Sequence, residues 1–353
     1  MGLRGYIAKR IAYMVILLIA IMTLNFIIFM VMPGDPATLF INPMRRGQNA
    51  TDVAQQVSTL EIMWGIHDPP IIRYFKYLGN MITWNFGLSV VSWKPVAVEM
   101  IWRIPFTLIL LGGSGILAIA IGVVLGAYAA QRRGGNFDAF AVVSSLIFFS
   151  LPTFWMGLVF ILIFYTNLHW FPHAHAYPSE WLLNAPNPIT VTATGSSSLG
   201  LSVAINPNDL WAYVTGIGSH LFLPILTLTL FQYGSFLLLA RATMIEALTE
   251  DYIVTARAKG VTERNVVFRH ALKNASLPLI TAAALHFGFI LSGAIITEGV
   301  YSWPGLGRWI FDAIINKDYN VLQAVFYIIA LCVIVANFMS DLLYGIIDPR
   351  IKY

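Results

Sequence analysis

Residues 252–297 read YIVTARAKGVTERNVVFRHALKNASLPLITAAALHFGFILSGAIIT. The first half places five basic side chains, Arg257, Lys259, Arg264, Arg269 and Lys273, within seventeen residues, and the second half is almost entirely hydrocarbon. An apolar run of about twenty residues matches a bilayer core about 30 Å thick. The charged half then marks the face at which the chain returns to water.

The whole chain agrees with that reading. Of its 353 residues 58% are apolar and 11% charged, against about a quarter charged in ordinary soluble domains. Windows of about twenty apolar residues give six spans, near 11–32, 104–130, 139–167, 220–240, 277–297 and 321–346. Lys9 and Arg10 ahead of the first resemble a signal peptide, but the run is too long, lacks a small-residue cleavage site and closes on PGDP, so a retained span is expected. The lone Cys332 lies in an apolar run and forms no internal disulfide.

Basic residues orient the spans. With the N-terminus inside, thirteen of twenty-one Lys and Arg fall on inner segments: Arg4, Lys9, Arg10, Arg132, Arg133, Arg241, the five quoted above, Arg350 and Lys352. Six of the others lie in an outer loop long enough to escape the positive-inside rule, and loop 169–219 has none. Both termini are therefore expected to be cytoplasmic in a multi-pass cell (inner) membrane protein. The expected divisions are tail and first span 1–32, outer loop 33–103, a five-span core 104–346 holding outer loop 169–219 and inner loop 241–277, and a tail 347–353.

Within the first outer loop, Tyr74, Phe75, Leu78, Met81 and Ile82 recur at helical spacing and predict a surface helix near Trp84 and Trp93, with Gly79 a weak point in it. The second outer loop, with HWFPHAHAYP and TATGSSSLG, reads as an irregular excursion. Within the inner loop, Met244, Ile245, Leu248, Tyr252, Ile253 and Ala256 predict a partly amphipathic helix interrupted at Gly260. Thr262 is placed to N-cap a second helix, with Glu263 at its positive end and Lys273 near its negative end. Gly260 suits a sharp turn between the two.

The stretch 252–278, together with MPGDPA, IPFTLILL, SLPTFWMGL, EDYIVTARAKG, VYSWPGLGRWIFDAIINKDYNVLQA and DLLYGIIDPRIKY, closely resembles bacterial and archaeal ABC importer permeases of the dipeptide, oligopeptide and nickel class. The resemblance runs along nearly the whole chain. It implies an all-α type I importer permease with six transmembrane helices and a coupling helix that docks on a nucleotide-binding subunit. The implied coupling residues are Thr255, Ala256, Arg257, Ala258, Lys259, Gly260, Val261, Glu263 and Arg264. Val254, Thr255 and Ala256 stand where the general importer loop has Glu-Ala-Ala, and the interval from Gly260 to Pro278 is longer than in sugar permeases, so sugar-permease contacts do not transfer.

The resemblance implies further partners: a second homologous permease, two ATP-binding subunits and an extracellular or periplasmic substrate-binding protein. No G-x-x-x-x-G-K-[ST] segment occurs, so ATP is expected on the partners and no cofactor on this chain. Nucleic acid is not an expected partner. ATP-driven closure of the partner dimer would rock the spans into alternating access. Cargo is expected to be di- or oligopeptides, with oligosaccharide or nickel as alternatives, because an external binding protein sets specificity in this class.

Polar residues in or near the spans, Asn25, Gln232, His286, Ser292, Asn337 and Asp341, are costly in lipid and are expected to face the bundle interior, in interhelical hydrogen bonds or along the path. Of these Gln232, His286, Ser292 and Asn337 are path candidates. The stretch EGVYSWPGLGRWIFDAI breaks helix at Pro304, Gly305 and Gly307, predicting a re-entrant or surface helix at the outer mouth, with Trp303, Arg308 and Trp309 as gate candidates or as an interfacial belt. Arg257, Lys259, Arg264 and Arg269 either meet an acidic cleft or face water. His169, His173 and His175 invite a metal but lack the company of other ligands, so no metal site is expected. Scattered single polar residues do not make a catalytic centre, which argues against an enzyme, and a gated channel would leave the inner loop unexplained.

Overall fold

The computed structural model of the chain describes residues 3–31, 68–172, 175–178, 181, 189–193, 201–205, 207–288, 290 and 293–347. Its elements in order are α1 (Leu3–Val31), α2 (Pro70–Ile82), α3 (Val96–Gln131), α4 (Asn136–Ser150), α5 (Thr153–Phe160, prolonged by a π-helical stretch Ile161–Asn167), β1 (Ile189–Ala193), β2 (Leu201–Ile205), α6 (Pro207–Leu248), α7 (Asp251–Ala258), α8 (Glu263–Asn265), α9 (Leu272–Gly288), α10 (Ile295–Val300), α11 (Leu306–Asn316) and α12 (Tyr319–Ile347). A π-helical turn, Val266–Ala271, joins α8 to α9.

Among the described residues four helices are long and apolar enough to cross a membrane, and the bent pair α4–α5 makes a fifth if it is counted as one span. The expected fifth span, 277–297, is shorter as regular helix: α9 ends at Gly288 after 17 residues and a new helix begins at Ile295. The expected third span, 139–167, is broken. Pro152 has no N–H to donate and forces Leu151 out of helix to φ −78°, ψ 133°, so α4 and α5 meet at 98°.

Two helices overrun the bilayer. α3 begins at Val96 rather than 104 and has 36 residues, about 54 Å at 1.5 Å per residue. Its outer end persists because Val96 and Met100 are fully buried against Tyr77, Met81, Phe86 and Trp309 in an outer core that α1, α2, α11 and α12 share. α6, expected at 220–240, runs for 42 residues. Hydropathy marks where a helix meets lipid, whereas packing decides where it stops.

α2 forms as expected and Gly79 does not interrupt it, but the helix does not merely lie on a surface: Tyr77 and Met81 are buried. Asn25 of α1 donates through Nδ2 to Tyr77 Oη at 2.9 Å and to the Gln323 carbonyl at 3.3 Å, so this intramembrane polar residue does tie helices together. In the second outer loop β1 and β2 pair antiparallel, an ordered feature where an irregular excursion was expected.

The most extensive helix contact is α3 against α6. Gly122 and Gly126, four residues apart on one face of α3, let the backbones approach. A Cβ on Gly122 would stand 2.7 Å from the Tyr233 carbonyl oxygen, and one on Gly126 would stand 2.6 Å from that of Leu237. Small residues at this spacing are the membrane alternative to large apolar knobs, because lipid supplies no hydrophobic drive between helices.

Candidate coupling, gate and path sites

The inner loop is two short helices folded over a small core. α6 stops at Leu248 and Glu250 is extended at φ −73°, ψ 148°, so the single amphipathic helix expected before Gly260 is in fact interrupted here. α7 then ends in a Schellman motif. Gly260 N donates to the Arg257 carbonyl at 2.9 Å and Val261 N to that of Ala256 at 3.2 Å. This requires a left-handed residue, and Gly260 has φ +75°. A Cβ there would meet nothing within 4 Å, so backbone conformation rather than crowding selects glycine. Thr262 occupies the N-cap position of α8 without a side-chain cap bond.

Ile253, Ala256, Val266, Val267, Ala271 and Ala275 turn inward onto Met244, Ala247 and onto Ala127 and Ala130 of α3. Ala256 is buried and Val261 packs against the same core, so these two coupling candidates support the loop rather than present themselves. Thr255, Arg257, Ala258, Lys259, Gly260, Glu263 and Arg264 are exposed. Arg257 Nε donates to Glu263 Oε1 at 2.7 Å across the turn, but both side chains are about half exposed and such a pair adds at most about 1 kcal/mol. Among the described residues Lys259 and Arg264 make no ion pair. Beside this loop Arg241 chelates Asp138, with Nη2 donating to Oδ2 at 2.8 Å, while Gly134 N donates to the same oxygen at 2.9 Å. That bidentate pair locks the start of α4 to the inner end of α6.

At the end of α3 remote from the Gly260 loop, α10, a turn and α11 form the helix break expected from the sequence. Its organiser is Glu298, which sequence reading passed over. Its carboxylate is fully buried and accepts from Thr107 Oγ1 at 3.3 Å, Ala294 N at 3.3 Å and Arg308 N at 2.9 Å. Thr107 Oγ1 in turn accepts from Leu306 N at 2.7 Å. Gly305 leaves room for the cradle: a Cβ there would come within 2.5 Å of both Glu298 Oε2 and Thr107 Oγ1. A single carboxylate at the edge of an apolar run, followed by a glycine-rich turn, was the available signal.

The same hairpin settles where the gate candidates sit. Trp303 is wholly buried, its Nε1 donating to the Phe106 carbonyl at 2.9 Å, and Trp309 is 5% exposed. Both indoles are packed within the chain, because the Pro304–Gly305 turn folds the segment back onto α3. Of the three only Arg308 reaches solvent, at 35% side-chain exposure, with Asp312 3.9 Å away. Tyr301 adds a third anchor, its hydroxyl hydrogen-bonded with Thr227 Oγ1 at 2.8 Å and donating to the Gly157 carbonyl at 3.3 Å.

The path candidates are not brought into one cluster. His286 of α9 wedges against α3 at Gly115, where a Cβ would stand 2.6 Å from Nε2, and meets the Phe236 ring edge-on at 5.7 Å. His286 Nε2 and Gln232 Oε1 are buried without a hydrogen-bond partner among the described residues, so these two atoms do not make the interhelical bonds expected of them there. Asn337 is exposed. Ser292, His173 and the Asp341 side chain lie outside the described residues, while His169 and His175 are exposed.

Residues 122–353 match the profile of a family described as binding-protein-dependent transport system inner membrane component, and residues 3–110 match the N-terminal region of the same kind of membrane component. The chain is 33% identical over 350 residues to the oligopeptide transport system permease protein AppB of Bacillus subtilis, covering 99% of each chain. It is 34% identical over 350 residues to the dipeptide transport system permease protein DppB of Escherichia coli K12, covering 99% of this chain and 98% of that one. To the glutathione transport system permease protein GsiC of Escherichia coli K12 it is 33% identical over 349 residues, covering 99% of each.

Proposed function

We infer the working of this chain from the premise that it belongs to the family of binding-protein-dependent transport system inner membrane components, and is a multi-pass ABC importer permease rather than an enzyme. Its cargo is a di- or oligopeptide. Support comes from relatives named for dipeptides, oligopeptides and the tripeptide glutathione, all matched over nearly their full lengths. Oligosaccharide and nickel are the alternatives.

The chain forms the path with a sister permease and couples to two ATP-binding subunits through the loop around Gly260. A periplasmic or extracellular binding protein delivers cargo, and both termini face the cytoplasm. The observation that carries the coupling role is how the loop is divided. Its apolar side is consumed by Ala127, Ala130 and Met244, while Arg257, Lys259, Glu263 and Arg264 remain on the free side. A loop held rigidly from behind and charged in front can take a push from a partner and pass it to α6 and α9, the helices it joins.

The test is reconstitution. The chain purified with its sister permease, ATPase subunits and binding protein is expected to drive ATP-dependent uptake of labelled dipeptide into proteoliposomes. Uptake of nickel or oligosaccharide but not peptide would replace the cargo; purification of the chain without any ATPase subunit would remove the coupling role.

A further inference from the structure

A cleft of about 360 Å³ opens at the outer end of α3, lined by Lys94, Glu99, Trp102, Arg103, Phe106 and Pro304. Small-molecule pockets start at about 300 Å³. Two of its groups are held in place without a direct hydrogen-bonded partner among the described residues, although the charges of Glu99 and Asp312 both bear on Arg103. The Arg103 guanidinium lies 5.0 Å over the ring of Trp309, which is itself almost fully buried, so the cation is stacked and fixed. Among the described residues it makes no ion pair. One turn earlier, Glu99 Oε2 is buried with no hydrogen-bond partner. Residues four apart share a helix face, so Arg103 and Glu99 attract one another without a direct ion pair, and the guanidinium fork and the Glu99 oxygen both remain open to a ligand's hydrogen bonds.

We propose that this cleft binds the two charged ends of a short peptide, the α-carboxylate on Arg103 and the α-ammonium on Glu99. The proposal rests on the peptide-permease reading. Arg103 offers the planar fork that takes a carboxylate bidentately, and Lys94 adds a second cation at the rim. Among the lining residues two cations stand against one anion, with Asp312 and Glu298 as further carboxylates near Arg103, and a fully ionised inorganic anion such as sulfate brings the Glu99 oxygen no donor. Trp102, Phe106 and Pro304 give apolar walls for side chains of varied size, so the two charged termini of a short peptide are what the site reads. An aminophospholipid headgroup carries the same pairing of anion and ammonium, and the test separates the two.

The assembled transporter, without binding protein, is placed in phosphatidylglycerol nanodiscs and binding of radiolabelled alanyl-alanine is measured. Saturable binding is expected, weakened about tenfold by Glu99→Gln and by Arg103→Gln. N-acetyl-alanyl-alanine should be indifferent to Glu99→Gln yet sensitive to Arg103→Gln, and alanyl-alaninamide should show the reverse. A misfolded variant cannot produce that crossed pattern. Absent binding, equal sensitivity of all three probes to both variants, or displacement of alanyl-alanine when phosphatidylethanolamine is added to the disc would each overturn the site. ATP-driven uptake of alanyl-alanine is read on the same preparation with binding protein added. Uptake with a flat binding pattern rejects the cleft alone, whereas the crossed pattern without uptake rejects the permease reading alone.

Discussion

The inner loop and the outer hairpin are both helix–turn–helix interruptions built around glycine, and they spend their polar groups in opposite ways. Around Gly260 the backbone closes its own turn and the charged side chains point outward, Lys259 and Arg264 with no ion-pair partner among the described residues. Around Gly305 the polar side chains point inward: Glu298 and Thr107 are fully buried and take up backbone donors from 294, 306 and 308. A buried carboxylate is tolerated only when such donors surround it. The difference separates a segment whose polar groups are used internally from one whose charges stay exposed, as the proposed docking of a partner there requires.

That contrast breaks most readily at Glu298. Glu298→Ala strips the acceptor from buried donors and is expected to cost about 1–3 kcal/mol for each donor left unmet, seen as a large fall in the thermal unfolding midpoint in nanodiscs. Gly305→Ala should follow at about 1–3 kcal/mol, since its Cβ would drive into Glu298 and Thr107. Thermal midpoints near wild type for both would mean that the hairpin is not pinned as described.

At the inner loop the readout should change from stability to transport. Gly260→Ala and Gly260→Trp are expected to cost alike, about 1–2 kcal/mol for forcing an L-residue to φ +75°, because open space surrounds the Cβ position. Both should depress ATP-driven uptake more than they lower the unfolding midpoint; a tryptophan variant far worse than alanine in the isolated chain would show that crowding, not backbone conformation, selects glycine. The smallest effect belongs to Arg257→Gln, whose exposed pair with Glu263 holds at most about 1 kcal/mol. Its unfolding midpoint should barely move, and a clear drop would mean that the pair is a structural clasp.

Much of this was legible in sequence because it is written locally. Apolar runs located four continuous spans and the bent pair, though not a continuous helix over 277–297, and a lone glycine between a polar helix and Thr262 gave the turn, since the Schellman geometry needs only neighbouring residues. What escaped depends on residues distant in the chain. Thr107 meets Glu298 across 191 positions, and nothing near either one signals the other. Trp303 and Trp309 look like interfacial anchors until the Pro304–Gly305 turn lays them on α3. The bend at Pro152 was visible as a Leu-Pro pair, but hydropathy averages across it and reports one span. The outward reach of α3 comes from Val96 and Met100 packing on the outer core, a tertiary cause that no window can register.

The division between a sealed outer hairpin and a partner-facing inner loop is tested most directly at Lys259. In a Cys332→Ser background, Lys259→Cys is labelled with an impermeant maleimide in inside-out vesicles, with the sister permease present and the ATPase subunits either absent or assembled. Rapid labelling that becomes strongly protected when the ATPase subunits are assembled is the expected result. Labelling that is equally fast with and without them, or that proceeds from the outside of intact cells, would contradict it.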